Sequence, residues 1–118
     1  MFYIRVTCEG QKITVLNPDD IRIVQGSRDI YTASFSMDDE WAAKAVSAVF
    51  INEISGVREV CDLINNSCLI PPSVLDMYGP LYFGLLGING KEIMPTLKRP
   101  RLWVCEGIKD LVVEEDAE

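Results

Sequence analysis

Asp38, Asp39 and Glu40 form the one run of three carboxylates within the body of the chain, and oxygen-rich clusters of this kind are what Ca²⁺ takes. The spacing of a calcium-binding EF-hand loop and its glycine are absent, so the run reads as a solvated turn. Acid–base work by paired carboxylates needs one carboxyl with a raised pKa, held by burial close to a second acid. Nothing in the pattern sets two acids opposite each other, and glycoside hydrolysis is not expected. A small hydrolase would have to rest on Asp38, Asp39 or Glu40. The chain contains no histidine, which removes the commonest general base, the relay of Ser–His and Cys–His nucleophilic sites, and the most frequent neutral metal ligand.

Cys8, Cys61, Cys68 and Cys105 lack the tight two-to-four-residue gaps that tetrahedral thiolate sites favour, so they read as free, buried thiols rather than a zinc set. Gly84-Leu85-Leu86-Gly87-Ile88-Asn89-Gly90 is glycine-rich, but its spacing is not G-x-G-x-x-G and no helical pattern follows to aim N–H groups at a phosphate. It reads as a hairpin. Lys98-Arg99-Pro100-Arg101 beside Trp103 is the one basic and aromatic patch, of the type on which single strands stack, but with an acidic body it reads better as a polar strand edge. Tyr78, Tyr82 and Trp103 are the rings that could line a sugar-binding face. The candidate ligand or partner surface is therefore Tyr78, Trp103, Arg99 and Arg101. No catalytic residue, cofactor site or metal site is expected.

The whole chain argues against polyanion partners. Its 118 residues carry 11 Lys plus Arg against 18 Asp plus Glu, a net charge of −7, which repels phosphate backbones and anionic headgroups. Glu114, Glu115, Asp116 and Glu118 hold four of those charges, so the acidity is partly that of a tail. With 48% apolar and 25% charged residues the composition is that of one folded domain with its own core. No segment approaches the ~20 apolar residues of a membrane span. The longest near-apolar stretch, 81–88, is broken by Gly84 and Gly87. Met1-Phe2-Tyr3-Ile4-Arg5-Val6 is not a secretory leader, so cytosolic synthesis with reduced thiols is expected.

The elements that must position these residues are mostly strands. Residues 2–7 and 12–15 alternate around a Glu9-Gly10 turn signal and predict a hairpin. A third strand is expected at 21–24, between the Asn17-Pro18-Asp19-Asp20 and Gly26-Ser27-Arg28-Asp29 turn clusters. In 30–36, Tyr31, Ala33 and Phe35 share one face. Segment 38–51 is ambiguous: its apolar spacing fits a helix capped by Asp38, while its β-rich end fits a loop at 38–44 followed by a strand. Residues 57–63 and 68–70 flank Asn65-Asn66 and read as a second hairpin, stopped by Pro71-Pro72. One short helical turn is expected near 72–77. Residues 81–86 pair with 92–94 through Asn89-Gly90; 101–105 is the last clear strand, and 111–113 either adds a short edge or stays loose.

About eight strands at ~8–12-residue spacing predict an all-β fold, a single antiparallel β-sandwich of immunoglobulin-like size over residues 1–113, with an acidic disordered tail at 114–118. The expected core includes Tyr31, Phe35, Trp41, Phe50, Cys68, Leu81, Phe83 and Leu85.

Residues 26–107 carry an ordered set of pieces. These are Asp29-Ile30-Tyr31-Thr32-Ala33-Ser34-Phe35, Glu40-Trp41, Ala48-Val49-Phe50, Cys68-Leu69-Ile70-Pro71 followed by Val74-Leu75, Gly79-Pro80-Leu81-Tyr82-Phe83-Gly84-Leu85-Leu86-Gly87, Pro95-Thr96, and Trp103-Val104 before Gly107. In this order they resemble the N-terminal β-sandwich domains of baseplate upper proteins and related small tail proteins of phages and prophages of Gram-positive bacteria. The resemblance puts the tryptophan in a loop before a strand, which favours loop plus strand for 38–51. It implies a non-enzymatic virion building block, made in the bacterial cytoplasm and assembled into a tail. Its contacts would be with copies of itself and other phage tail proteins, without nucleic acid or membrane. The coiled-coil and receptor-binding parts of longer members do not follow in this sequence, so direct host recognition is not implied. The alternative is a carbohydrate-binding module for host cell-wall glycan, using Tyr78 or Trp103.

Overall fold

The computed structural model describes residues 1–18, 22–98 and 101–108, the side chain of Arg101 excepted. The expected edge at 111–113 and the tail at 114–118 lie outside the described residues, as does Ile21 of the third strand. Among the described residues ten strands follow in chain order: β1 (Phe2–Glu9), β2 (Lys12–Val15), β3 (Ile23–Val24), β4 (Tyr31–Met37), β5 (Ala45–Asn52), β6 (Arg58–Asp62), β7 (Ser67–Leu69), β8 (Gly79–Asn89), β9 (Glu92–Pro95) and β10 (Arg101–Cys105). They build two sheets, β2-β1-β4-β7 and β3-β10-β8-β5-β6, with β9 on the far end of the β8 edge that β10 occupies at its start.

Alternation decides which side chains meet between the sheets. Ile4, Val6 and Cys8 of β1 and Tyr31, Ala33 and Phe35 of β4 are buried, facing Ala48 and Phe50 of β5 and Leu81, Phe83 and Leu85 of β8. Phe35 reaches Phe83 across the gap, with ring centroids 6.4 Å apart. Of the expected core only Cys68 departs: it is half-buried and packs against the core from the edge strand β7. The all-β expectation is met, but the sheets are mixed rather than purely antiparallel. β4 runs parallel to β1, and β10 runs parallel to β3. Parallel neighbours need a crossover. After the β1–β2 hairpin the chain visits the other sheet as β3, then returns to enter β4 in the direction of β1.

Local signals held where one turn joins two paired strands. The β1–β2 turn places Gly10 at φ 57° in its first central position, where a two-residue II′ turn requires a positive φ. The β8–β9 hairpin forms as expected, one residue later than read: Asn89 pairs with Glu92, and Gly90 and Lys91 make the turn. The second hairpin is overturned. Asn65 and Asn66 adopt positive φ of 53° and 60° and close a tight turn between Ile64 and Ser67, yet β6 pairs with β5 and β7 with β4. The turn is a corner between sheets.

Segment 38–51 is loop plus strand. A 3₁₀ turn, Asp39–Trp41, carries Trp41 into the core before β5 begins. The indole N–H donates to the Gly10 carbonyl at 3.0 Å, and the ring lies over Gly87, where a Cβ would come within 3.0 Å of it. The expected turn near 72–77 is a 3₁₀ turn, Pro72–Leu75, whose Val74 and Leu75 close the other end of the core.

Candidate functional site

The run Asp38, Asp39, Glu40 is used by the fold. One Asp38 oxygen accepts from the Glu40 amide at 3.2 Å and the other from the Gly10 amide at 2.7 Å, so its carboxylate caps the 3₁₀ turn and ties it to the β1–β2 turn. Lys44 Nζ donates to the Glu40 carbonyl at 2.6 Å. A polar recess of about 370 Å³ opens here, with Asp38, Asp39 and Lys44 on its rim. Among the described residues no three His, Cys, Asp or Glu side chains converge as a metal set.

The thiols of Cys8, Cys61 and Cys68 are placed to stay protonated. Burial, with Asp38 adding to it, pushes the Cys8 thiol up to about 11. Burial pushes Cys68 up to about 12, and burial is also the main cause of the upward shift of Cys61. A thiol so shifted is a poor nucleophile near neutrality.

The two outer faces of the sandwich differ sharply in chemistry. On the smaller sheet, the side chains between the buried ones are Tyr3, Arg5 and Thr7 on β1 and Thr32, Ser34 and Ser36 on β4, with Leu69 of β7 opposite Thr32, a mainly polar face with Tyr3 and Leu69 as its exposed apolar side chains. On the larger sheet, the same positions hold Ala45, Ser47, Val49 and Ile51 on β5 and Pro80, Tyr82, Gly84, Leu86 and Ile88 on β8. Cross-strand register extends this face to Val60 on β6, flanked there by Arg58 and Asp62, and to Ile93 on β9 and Trp103 on β10; Val60, Ile93 and Trp103 are 63%, 67% and 56% exposed. Scattered apolar side chains on a surface are ordinary, whereas a contiguous apolar sheet face marks a contact site.

A groove of about 190 Å³ runs through this face. Its floor is Val49, Ile51, Tyr82 and Leu86, and segment 95–98 forms one wall. Gly84 gives the groove its depth: a Cβ there would stand 2.4 Å from Thr96 Oγ1, so only glycine lets the wall approach. Thr96 is fixed to β8 by two bonds, its amide donating to the Leu85 carbonyl at 2.9 Å and its Oγ1 accepting from the Leu85 amide at 3.0 Å. Leu97 donates to the Gln11 carbonyl at 2.9 Å, tying the wall to the β1–β2 turn. Lys98 covers one end, its Nζ 4.1 Å from the centre of the Tyr82 ring and 3.6 Å from Glu53.

Of the sequence-predicted surface, Trp103 sits opposite Pro80 on the outer face, one strand from the groove. Tyr78, exposed, precedes β8 at that same end. Arg101 pairs with Tyr82 through the backbone, and its side chain lies outside the described residues, as does Arg99. Of the basic and aromatic patch the described side chains are Lys98, at the groove, and Trp103, on the same outer face, whose main residues, Val49, Ile51, Val60 and Leu86, sequence reasoning missed. The signal was present: 45–51 and 81–88 are apolar at both odd and even positions, as in strands covered on both faces.

No protein-family model matches the chain, and a comparison with curated proteins finds no match. Among solved structures the fold is similar to the N-terminal domain of phage TP901-1 ORF48, with a TM-score of 0.50 and 10% sequence identity over 90% of this chain and 97% of that one. The expected likeness to an N-terminal domain of a phage protein is met at the level of the fold.

Proposed function

We propose that the chain is a non-enzymatic structural protein of a phage or prophage tail or baseplate, which works through protein–protein contacts on the outer face of its larger sheet. The observation that carries this reading is the contrast between the two outer faces, one mainly polar and one mainly apolar with a groove. Burying exposed apolar area at about 25 cal/mol per Å² favours a protein surface as its cover. The fold's likeness to a phage domain supports the setting in which that cover is found.

The groove's own chemistry favours protein over glycan. A sugar brings hydroxyls that need partners, and the groove is lined almost wholly by carbon, with its one charged residue, Lys98, already against Tyr82 and Glu53. A partner side chain such as leucine or proline meets that lining without loss. The carbohydrate-binding alternative rests on Trp103 and Tyr78, which stand exposed at one end of β8.

The test is mass spectrometry of tail particles purified after prophage induction of the source strain. Peptides of this chain at a constant ratio to the tail-tube protein are expected. Absence from complete particles, together with glycan-array binding lost in Trp103→Ala, would replace this reading with the carbohydrate one.

A further inference from the structure

The free edge of β6 is self-complementary. Among the described residues β6 is the outermost strand of the larger sheet, paired with β5 on one side only. The Asn52 amide donates to the Val57 carbonyl at 2.9 Å, and antiparallel hydrogen-bonded pairs recur at every second residue, so Phe50 with Glu59 and Ala48 with Cys61 are the next such pairs. The backbone N–H and C=O groups of Arg58, Val60 and Asp62 therefore point away from β5, toward the open edge. The side chains of the same three residues lie on the outer, apolar face, in the order cation, exposed valine, anion.

We infer that this edge pairs with the β6 edge of a second copy of the chain, antiparallel, about a two-fold axis at Val60. This rests on reading the chain as one that works through protein contacts, and it gives that reading a partner and a register. In this register Val60 faces its own copy and exchanges two backbone hydrogen bonds with it. Arg58 of each copy faces Asp62 of the other, with two more bonds in each pair, so every outward backbone group of β6 is satisfied. Neither Arg58 nor Asp62 has an ion-pair partner among the described residues; Asp62 accepts one bond, from Ser47 Oγ at 3.2 Å. On the inner side Glu59 meets Cys61, so no like charges are opposed, and the Glu59 carboxylate is taken up by the Ser73 hydroxyl at 2.6 Å. The two larger sheets become one, and the apolar outer face runs on across the joint through Val60.

The other described edges lack this symmetry. β2 carries Lys12 with no acid, β7 is uncharged, β3 has two residues, and β9 ends in Pro95 with no cation. Charged side chains on an edge ordinarily guard it against pairing. On β6 they guard against other strands and invite their own copy.

The test is sedimentation equilibrium of the purified chain from micromolar to millimolar concentration. The wild type is expected to dimerise, and Arg58→Asp and Asp62→Arg, each of which sets like charges opposite one another twice per dimer, to weaken the dimer at least about tenfold. The double exchange Arg58→Asp/Asp62→Arg restores opposite pairs and is expected to regain the dimer. Val60→Pro removes only an outward N–H, the place where a strand tolerates proline, and is expected to be a folded monomer by circular dichroism. A monomeric wild type across the range, or single variants that dimerise like the wild type, would overturn the inference. Neither result touches the presence of the chain in tail particles, which the mass spectrometry tests separately.

Discussion

The thiols of Cys61 on β6 and Cys68 on β7 lie against each other across the gap between the sheets, each free of a disulfide. They stand seven residues apart, and the chain between them makes the Asn65-Asn66 corner. The contact is thus the side-chain counterpart of that corner: it holds together the two edges that the corner separates.

Raised thiol pKa values give the fold an alkaline limit. Cys8 near 11 and Cys68 near 12 keep their protons in the folded state at pH values where the unfolded thiols, with an ordinary value of 9.0, have lost theirs. The folded state then binds more protons, so stability falls as pH rises. The contribution is complete below about pH 9 and is lost progressively between pH 9 and 12. Urea midpoints at pH 7 and pH 10 should differ more for the wild type than for a Cys8→Ala/Cys68→Ala variant, because lysines and tyrosines contribute equally to both.

Asn52 is expected to be among the costliest single residues to lose. It is fully buried in β5, its amide donates to the Val74 and Met77 carbonyls at 2.8 Å each, and its oxygen accepts from the Ile54 and Ser55 amides at 3.0 Å each. Asn52→Ala leaves four backbone groups to find new partners, at about 1–3 kcal/mol for each that stays buried and unpaired. A destabilisation of about 3–5 kcal/mol in urea unfolding is expected, and a change below about 1 kcal/mol would show that water replaces the side chain.

Gly84 and Thr96 should behave as a coupled pair. Gly84→Ala forces its methyl against Thr96 Oγ1 and is expected to cost about 1–3 kcal/mol. Thr96→Ala removes the obstructing oxygen along with its bond to the Leu85 amide. In a double-mutant cycle the two costs should sum to more than the cost of the double variant. Strict additivity would mean that the wall of the groove moves aside freely.

Trp103→Ala separates contact from stability. The ring is 56% exposed on the outer face, so its removal should shift unfolding by no more than about 0.5 kcal/mol. Its loss from a partner interface would cost ~2 kcal/mol or more, as buried aromatic anchors do. Co-purification of the chain with other tail proteins is the measurement, and unchanged recovery would remove Trp103 from the contact face.

What the residues disclosed in advance was local. Tyr31, Ala33 and Phe35 announced their buried face by alternation alone, and Gly10 and Gly90 marked hairpins because positive φ is written in a single residue. Asn65-Asn66 marked a turn just as clearly, but turn chemistry does not say whether the flanking strands stay together, and here they part. The parallel pairing of β1 with β4 joins Phe2 to Tyr31 and has no local signature at all. The contact face was hidden for a related reason: Val49 and Leu86 look like core residues until the register shows which side of the sheet they occupy. Between 38 and 51, helical spacing was real, but the core needed Trp41 over Gly87, and a strand at β5 put it there.

The order of strands in the larger sheet also sets a timetable. β5 is complete at Asn52, but its neighbour β8, the strand that joins it to β10, ends at Asn89. At ~5–20 residues per second of synthesis, that interval lasts about 2–7 s. During it β5, apolar on both faces, has only the short β6 for company, and the contacts that β8 closes are distant in sequence and slow to form. The nascent chain is thus at its stickiest just before its central strand emerges, and its yield in a cell depends on how well that window is guarded.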